Sequence, residues 1–548
     1  MPALCIGRKQ SEPSVLDWGV DGMAVGTAEV IAMSGRVCAL LFVALFLFSV
    51  SGIYRAIAGA SAIEGAGGVP SLDSLTQRIS AARGKAPQRD RETLTYTYGG
   101  ITGKRVDSRD GADERSDDTY GPLISARGEY HKQAWHQNEN GETVIEQPDP
   151  GKATTEATTT TVTRVTAPFD AFVIATLNAA GDGTKEYVDP QSYRIVRFEE
   201  IRPTETTVTS YDDFRTTGGQ TRAWHWTVRD GHPEDDAEYR VIADDVGGPP
   251  LSLAIPKSRR EFVEFPAGKT SVDLAAREQG DKFIVRVQIG GRGLDMLLDT
   301  GAGTMILDDG IARELGLARY GSATNAVNAG RFVTSKAVIP QMSVGELRLH
   351  DVVVSTSPHL GADGPDYKVV GLLGFDFIDA VALTVDYQGG RLTATKSDAF
   401  VPPSGSSVCA VPVRLGSQVP LADVTIDGAL GERFRPDTGA SGTMLVFDYF
   451  ARRHPEAFTA PVSSEGQPHF AGAGGAFSAE PYRVAAATLG NFRLTNFTVY
   501  RVSSARSFSG FDDGLVGTAL LSLFTLYTDY GNSMLYLVPN ATGRAARQ

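Results

Sequence analysis

The most constraining feature of this sequence is an internal repeat between about residues 280 and 540. Residues 301–305 read Gly-Ala-Gly-Thr-Met, and residues 439–444 read Gly-Ala-Ser-Gly-Thr-Met, which differs by one inserted serine. Later blocks recur in the same order, pairing Gly345–Leu349 with Gly490–Leu494, Gly371–Gly374 with Gly514–Gly517, and Asp386–Tyr387 with Asp529–Tyr530. Several matches in one order predict two related units joined in tandem.

Length and composition indicate a globular protein of several domains. The chain has 548 residues, which exceeds what one ordinary hydrophobic core accommodates. Hydrophobic residues make up 42% and charged residues 21%, and the 60 glycines favour turn-rich β structure over long helices. The net charge of −13 repels phosphate backbones, so nucleic acid is excluded as an expected partner.

Changes in pattern divide the chain into segments. Residues 94–268 alternate in short runs separated by turn signals, which predicts an antiparallel β domain. This region resembles the half-barrel of periplasmic lipoprotein carriers and contains no catalytic motif. The predicted segments are a leader at 1–62, a tether at 63–93, the N-terminal β domain at 94–268, a first lobe at 280–400 and a second lobe at 408–540.

The leader has the pattern of an export signal. Arg36 precedes an apolar run from Val37 to Val50, and Ala60-Ser61-Ala62 supplies a small-residue cleavage site. The run is short for a spanning helix, but an uncleaved membrane anchor is the alternative. We therefore expect a protein outside the cytoplasm, either periplasmic or anchored to the membrane through its N-terminal segment.

Each copy of the repeat carries Asp-Thr-Gly-Ala, and the two aspartates, Asp299 and Asp437, are the candidate catalytic residues. Two carboxyls that share one proton can hydrolyse an amide without a metal or a covalent nucleophile. The ionised carboxylate takes a proton from water, and the protonated one donates a hydrogen bond to the carbonyl oxygen. Because like charges about 3 Å apart cannot both ionise cheaply, the pair titrates as a unit.

The residues that follow each aspartate suit a supporting role. Gly301 and Gly439 allow a sharp turn that brings backbone N–H groups towards the carboxylates. Thr300 and Thr438 offer hydroxyls that can form hydrogen bonds across an interface and fix the spacing of the two loops. The apolar segment Met296–Leu298 lowers the dielectric constant near the first aspartate, which permits a perturbed pKa.

Asp-Thr-Gly-Ala followed by an apolar-apolar-Gly block, 75 residues from Asp299 to Gly374 and 80 residues from Asp437 to Gly517, resembles the retropepsin-like aspartic proteases. Two lobes in one chain are similar to the pepsin-like enzymes. The resemblance covers residues 280–540 and implies one Asp from each lobe, with Ala302 and Ala440 also in the site. It implies peptide-bond hydrolysis without cofactor or metal. The implied fold class is mostly β, with two tandem retropepsin-like β-barrel lobes preceded by an antiparallel β domain.

Two departures from the family pattern affect the site. Pro436 stands before the second aspartate where the first copy has Leu298, and its fixed φ and missing N–H could shift that loop. The flap that covers substrate has two candidates, at 324–336 and at 470–477. In the second, Phe470 or Phe477 could close over substrate, although either could equally be a core ring.

The sequence thus predicts an exported aspartic endopeptidase that acts on a protein or peptide substrate as a monomeric catalytic unit. No His-Glu-x-x-His or Gly-x-Ser-x-Gly occurs in it. The rival interpretation is a catalytically silent protein that binds a peptide or lipoprotein. Pairing of each lobe with its equivalent in a second chain is an alternative assembly. The linker at 401–407 favours pairing within one chain, because it keeps the lobes at high effective concentration.

Several other reactive residue types are expected to be structural. Cys409 reads as a small buried hydrophobe. Asp386 and Asp529 read as turn residues, and Asp376 and Asp379 as surface or helix-capping residues. Because both Asp-Thr-Gly loops lie within residues 280–540, that part of the chain is expected to fold and cleave without the N-terminal domain.

Overall fold

The structure is a computed structural model. It describes residues 68–146, 157–202, 205–258, 262–327, 330–358, 360, 368–416, 418–462, 469–472, 475–502 and 512–546. The predicted leader, with the expected export signal or anchor, lies outside this range. Among the described residues, no helix is both long enough and apolar enough to cross a membrane.

The N-terminal part is one antiparallel sheet of 13 strands, in the spatial order β6-β5-β4-β3-β2-β1-β13-β12-β11-β10-β9-β8-β7. The strands are β1 Arg89–Tyr98, β2 Ile101–Asp110, β3 Asp113–Tyr120, β4 Leu123–Tyr130, β5 Gln133–Gln137, β6 Thr143–Ile145, β7 Thr158–Val165, β8 Ala171–Asn178, β9 Gly183–Val188, β10 Ile195–Ile201, β11 Thr206–Thr217, β12 Gln220–Arg229 and β13 Ala237–Val246. Only β1 and β13 join distant parts of the sequence, so most pairings are local hairpins.

Alternation of side chains produces the core of this sheet. Along β1, Leu94, Tyr96 and Tyr98 point to one buried face while their neighbours are more exposed. Trp226 of β12 stacks on Tyr239 of β13 in this core, with ring centroids 5.2 Å apart.

A helix covers part of the N-terminal sheet. Helix α1, Leu72–Arg83, buries Leu75 and Ile79 against the group that contains Phe172 and Ile174. Ser71 caps it by accepting a hydrogen bond from the Ser74 N–H at 3.3 Å. The segment expected as a tether therefore contributes a docked helix as well as the start of β1.

The remainder forms two lobes whose elements repeat. In the first they are β14 Val263–Glu264, β15 Ser271–Asp273, β16 Ala276–Gln279, β17 Lys282–Ile289, β18 Arg292–Leu298, β19 Ile306–Asp308, α2 Asp309–Glu314, β20 Arg319–Val327, β21 Gly330–Val344, β22 Leu347–Ser357, β23 Gly371–Leu373, α3 Phe375–Ala380, β24 Ala382–Asp386 and β25 Arg391–Thr395. In the second they are β26 Cys409–Pro412, β27 Ala422–Ile426, β28 Ala429–Pro436, β29 Met444–Val446, α4 Asp448–Arg453, β30 His469–Gly472, β31 Gly475–Ser478, β32 Glu480–Leu489, β33 Phe492–Arg501, β34 Gly514–Val516, α5 Thr518–Leu521, β35 Phe524–Asp529, β36 Met534–Pro539 and α6 Ala541–Ala546.

Both lobes are closed six-stranded barrels with the same strand order. The first runs β17-β18-β23-β19-β22-β21 and closes because β21 also pairs with β17; the second runs β27-β28-β34-β29-β33-β32. In each, the strand before the aspartate runs parallel to the apolar-Gly strand, β18 beside β23 and β28 beside β34. The predicted fold class, two tandem β-barrel lobes behind an antiparallel β domain, is confirmed.

A six-stranded sheet joins the lobes, in the order β15-β25-β24-β35-β36-β26. Its central pairing is between β24 of the first lobe and β35 of the second, where Val385 lies opposite Leu526. Asp386 and Asp529 lie at the ends of these strands and accept turn hydrogen bonds, from the Gly389 N–H at 2.9 Å and the Asn532 side-chain amide at 3.0 Å. Their interpretation as turn residues is confirmed. Cys409 is fully buried, as predicted.

The N-terminal sheet docks on the first lobe through the residues between β5 and β6. The Asn140 side chain exchanges two hydrogen bonds with the backbone of Val353, donating to its carbonyl at 2.9 Å and accepting from its N–H at 2.8 Å. The Asn138 amide donates to Asp376 at 2.9 Å. Gly99, in the turn between β1 and β2, lies so close to Ser322 that a Cβ there would be 2.0 Å from its carbonyl oxygen.

Buried carboxyls meet at this junction. Asp376 and Asp379 are 2% and 4% exposed, and the residue that caps α3 is Gly374, so the expectation of surface or capping residues is wrong. Asp376 accepts hydrogen bonds from the Thr304 hydroxyl and the Met305 N–H, both at 2.6 Å. Glu142 of the N-terminal sheet is fully buried beside them. Burial, and then the charges of Asp376 and Asp379, raise the pKa of Glu142 well above its usual range.

This raised pKa makes the stability of the protein depend on pH. A protonated Glu142 stabilises the folded state fully below the ordinary Glu pKa of about 4.3, and that contribution is lost as pH rises through the folded pKa. Gln stays neutral at every pH. As the pH rises from about 5 to about 9, we therefore expect the melting temperature of Glu142→Gln to fall less than that of the wild type. Calorimetric melting at a series of pH values measures this. The matched control is Glu314→Gln at an exposed site, and equal pH dependence in Glu142→Gln and wild type would contradict the prediction.

Candidate active site

Each candidate aspartate begins a loop that rests on an apolar-Gly strand. The N–H of Asp299 donates to the carbonyl of Leu373 at 3.0 Å, and the N–H of Asp437 donates to the carbonyl of Val516 at 2.9 Å. The two Asp-Thr-Gly loops are therefore fixed to their own barrels in the same way, as the repeat implies.

The glycine that ends each apolar-Gly strand is required by close packing. A Cβ at Gly374 would lie 2.2 Å from the Thr304 carbonyl oxygen, and one at Gly517 would lie 2.5 Å from the Gly442 carbonyl oxygen. Any larger residue would push the Asp loop away from the strand beneath it. This close approach explains why both copies carry a glycine at this position.

The two loops are joined by reciprocal hydrogen bonds between their threonines. The N–H of Thr300 donates to the Thr438 hydroxyl at 3.0 Å, and the N–H of Thr438 donates to the Thr300 hydroxyl at 2.9 Å. Each hydroxyl also donates across the boundary, Thr300 to the Pro436 carbonyl at 2.8 Å and Thr438 to the Leu298 carbonyl at 3.0 Å. Pro436 thus accepts the same hydrogen bond as Leu298, and its missing N–H leaves this arrangement intact.

The carboxyl groups face each other across the lobe boundary. A Cβ on Gly301 would be 2.3 Å from a carboxylate oxygen of Asp437, and one on Gly439 would be 2.5 Å from the carboxyl carbon of Asp299. The N–H groups of Gly301 and Gly439 donate to the aspartate of their own loop, at 2.9 and 2.7 Å, and Ala440 N–H donates to Asp437 at 3.0 Å. Only glycine leaves room for the opposing carboxylate.

The electrostatics of the pair suit a shared proton. Burial, and then the neighbouring charge of Asp437, raise the pKa of Asp299 to about 8, although Lys282 and the Gly301 N–H act in the opposite direction. One proton is therefore retained near neutral pH. Such a pair contains both a base for water and an acid for a carbonyl oxygen.

Two basic residues of the site were missed by the sequence analysis. Arg435 is 4% exposed, and its guanidinium donates to the Gly301 carbonyl at 3.1 Å and to Asp512 at 2.9 Å. Lys282, at the start of β17, is also 4% exposed, and its ammonium group lies 3.4 Å from the Thr518 hydroxyl. For Arg435 the signal available in the sequence was the repeat, since Arg435 stands where the first copy has Leu297.

Both flap candidates are hairpins. One is formed by β20 and β21, and the other by β30 and β31, in which Phe470 pairs with Phe477. The Phe477 ring is partly buried against the group that includes Leu445 and Phe447. The side chain of Phe470 lies outside the described part of the structure. Closure of either ring over substrate stays a prediction, as does the catalytic role of the two aspartates.

Comparison with known proteins gives a family and several similar folds. Residues 285–377 match the sequence model of the aspartyl protease family. No curated protein matches the chain. Among solved structures, the chain is similar to the aspartic proteinase from Irpex lacteus, with 14% identity and a TM-score of 0.35 over 51% of this chain and 100% of the other.

Two other solved structures are similar to part of the chain. One is a putative outer membrane lipoprotein-sorting protein domain from Vibrio parahaemolyticus, with 8% identity and a TM-score of 0.23 over 32% of this chain and 91% of the other. Conglutin gamma from lupine seeds is also similar, with 9% identity and a TM-score of 0.33 over 50% of this chain and 96% of the other.

The threonine contacts generate a prediction about Thr438. Thr438→Val keeps the side-chain volume but leaves the buried Thr300 N–H and Leu298 carbonyl without a partner. We expect a loss of about 1–3 kcal/mol in the free energy of unfolding, measured by denaturant titration. Thr438→Ser, which keeps the hydroxyl, is the control and should lose less. Equal stability of the Val variant and the wild type would contradict the proposed contact.

Proposed function

We propose that this chain, which belongs to the aspartic protease-like family, is an exported endopeptidase in which Asp299 and Asp437 together activate water. The observation that carries this proposal is the approach of two carboxyls, each facing the glycine of the opposite lobe, in a site that raises the pKa of Asp299. A pair arranged in this way costs stability, because burial and like charge both disfavour ionisation. Retention of such a costly pair supports a catalytic role.

The proposed reaction uses the pair as one acid and one base. The ionised carboxylate removes a proton from water while the water oxygen bonds to the amide carbon, and the protonated carboxyl donates to the carbonyl oxygen. The resulting diol then collapses. One of its hydroxyl protons returns to the pair, the pair protonates the nitrogen, and the C–N bond breaks to give a carboxylic acid and an amine. The two roles belong to the pair and are not divided between Asp299 and Asp437 here.

The proposed substrate is an extended protein or peptide chain, with no cofactor. The site lies at the boundary of two barrels, and each barrel contributes a hairpin, β20–β21 or β30–β31, whose backbone could bind a peptide strand. The central sheet pairs β24 with β35 within one chain, so one chain holds a complete pair of Asp loops. This supports a monomeric catalytic unit.

A cavity in the N-terminal domain favours a second candidate function, binding of a small apolar ligand by the sheet. The cavity lies between α1 and the sheet and opens to solvent, and it measures about 760 Å³ when the open solvent at its mouth is included. Apolar and aromatic side chains line it, among them Ile79, Tyr211, Phe214 and Trp226. Glu92 and Arg222 add polar groups, and burial raises the pKa of Glu92 to about 8. Such a domain could bind a ligand whether or not the lobes cleave peptides.

Export is proposed from the leader, with Arg36, the run from Val37 to Val50 and the small residues at 60–62. We expect residues 1–90 to export a fused reporter that is active only outside the cytoplasm. Reporter activity in cell fractions measures this. Replacing two leucines in the apolar run by aspartate is the control and should abolish export. A stable fusion without reporter activity would reject the proposal.

The catalytic proposal predicts that each aspartate is required. Asp299→Asn and Asp437→Asn should each lower kcat/KM for an unfolded protein substrate by at least about 10³-fold, because each removes a group that takes part in proton transfer. Purified protein and mass spectrometry of the products measure this. Asp529→Asn, at a turn outside the pair, is the matched control for folding and activity.

Inhibitors separate this proposal from its rivals. Hydrolysis should persist in chelator and in thiol and serine reagents, and a statine-type mimic of the diol should block it. Activity lost on chelation would contradict the two-carboxylate mechanism. A wild-type protein that binds peptide but leaves it uncleaved between about pH 3 and pH 8 would favour the silent binding protein instead.

A further inference from the structure

A buried lysine lies beneath the junction of the two Asp loops. Lys282 begins β17 in the first lobe, and its ammonium group is 3.4 Å from the hydroxyl of Thr518 in the second lobe and 4.0 Å from the carboxylate of Asp281. The side chain is only 5% exposed. Burying an ammonium group is costly unless nearby negative charge offsets the loss of hydration.

Thr518 connects this lysine to the second Asp loop. Its N–H and its hydroxyl both lie 2.9 Å from the Ala440 carbonyl oxygen, and Ala440 donates to Asp437. The Thr518 hydroxyl also bonds to the carboxylate of Asp281. The group of Asp281, Lys282 and Thr518 therefore crosses from the first lobe to the loop of the second.

The second lobe has no equivalent charge at this place. The equivalent strands β17 and β27 end at Ile289 and Ile426. Seven residues before these positions lie Lys282 in the first lobe and Val419 in the second. Val419 is buried as an ordinary apolar residue. The lysine thus breaks the symmetry of the repeat, which argues against a role in barrel folding that both lobes would share.

We infer that Lys282 is a positioning residue for the candidate active site, whose positive charge offsets the negative charge of the carboxyl pair and fixes the pH range in which the pair holds one proton. This inference rests on the proposed function. Lys282 does not touch substrate in this scheme. It acts through Asp299 and Asp437, with which it interacts electrostatically.

Three carboxyl groups act on the lysine. Asp281 and the two aspartates of the pair act on Lys282 directly. Two buried tyrosines, Tyr387 and Tyr530, also face this group of acids, and burial raises the pKa of both, so they stay neutral. The further acids are Glu278, which interacts with Tyr387, and Asp379, which interacts with Tyr530. Burial lowers the pKa of Lys282, and the three aspartates oppose that effect.

The direction of the effect follows from charge. Each ionisation of the pair creates negative charge, which a nearby ammonium group stabilises. A neutral side chain at position 282 should therefore raise both macroscopic pKa values of the pair. In a pH profile of kcat/KM, the acidic and the alkaline limb should both move to higher pH.

The test compares Lys282→Gln with Lys282→Arg in the full-length protein. Gln can still donate to Thr518 but carries no charge, whereas Arg keeps the charge. We expect both limbs of the profile to move to higher pH in the Gln variant and to stay at the wild-type pH in the Arg variant. A lower kcat/KM at every pH with unmoved limbs would assign Lys282 a structural role only and overturn the inference. Lys282→Met replaces the Gln variant if the latter fails to fold.

A second readout does not need catalysis. Carbon-13 NMR of aspartate-labelled protein follows the carboxyl titration of the pair, with Asp299→Asn and Asp437→Asn used for assignment. If the wild type cleaves no peptide, the proposed function fails but the titration still decides this inference. An upward shift in the Gln variant that is absent in the Arg variant supports it. Identical carboxyl titrations in wild type and both neutral variants would overturn it.

Discussion

Bringing Asp299 and Asp437 into one buried position is costly, because burial and like charge both disfavour ionisation. The rest of the two-lobed structure offsets that cost. The threonine hydrogen bonds hold the loops at a fixed separation, and the pairing of β24 with β35 fixes the barrels that carry them. Each lobe also contributes a positive charge. Lys282 of the first lobe interacts electrostatically with the pair, and Arg435 of the second lobe donates to the Gly301 carbonyl. A rearrangement of either lobe would therefore change the separation of the two carboxyls or the charges around them.

The internal repeat accounts for the symmetric part of this site, and differences between its two copies account for the rest. The Asp loop, the glycine beneath it and the cross-lobe threonine repeat in both copies with similar distances. The differences lie in the residues around them, which pair Leu297 with Arg435, Leu298 with Pro436, Phe375 with Thr518, and Lys282 with Val419. Charge is thus placed differently on the two sides of an otherwise matched pair. The proposed mechanism, in which the pair supplies one acid and one base, would benefit from surroundings that differ.

The sequence was sufficient for those features that repeat or alternate. The two barrels, the Asp-Thr-Gly loops and the glycines beneath them follow from a repeat whose blocks keep their order, and strand alternation gave the N-terminal sheet. Burial of Asp376 could not be predicted, because its partner Asn138 is 238 residues away in sequence. Lys282 was missed for the same reason: its neighbour Thr518 comes from the other lobe. Contacts between distant segments leave no periodic signal in one sequence.

The N-terminal sheet packs against the first lobe, so separating the two at their sequence boundary would break contacts between them. Asn138 contacts Asp376, which in turn holds Thr304 and Met305 in the loop that follows Asp299. Cutting the chain near residue 280 would leave these polar groups to water, which can replace their hydrogen bonds at modest cost. The larger cost is apolar, because Ala323 and Val353 of the first lobe belong to the aromatic core of the sheet. Since Ala323 lies on β20, one strand of a candidate flap hairpin is part of that core. The N-terminal sheet therefore restrains the base of this hairpin through packing.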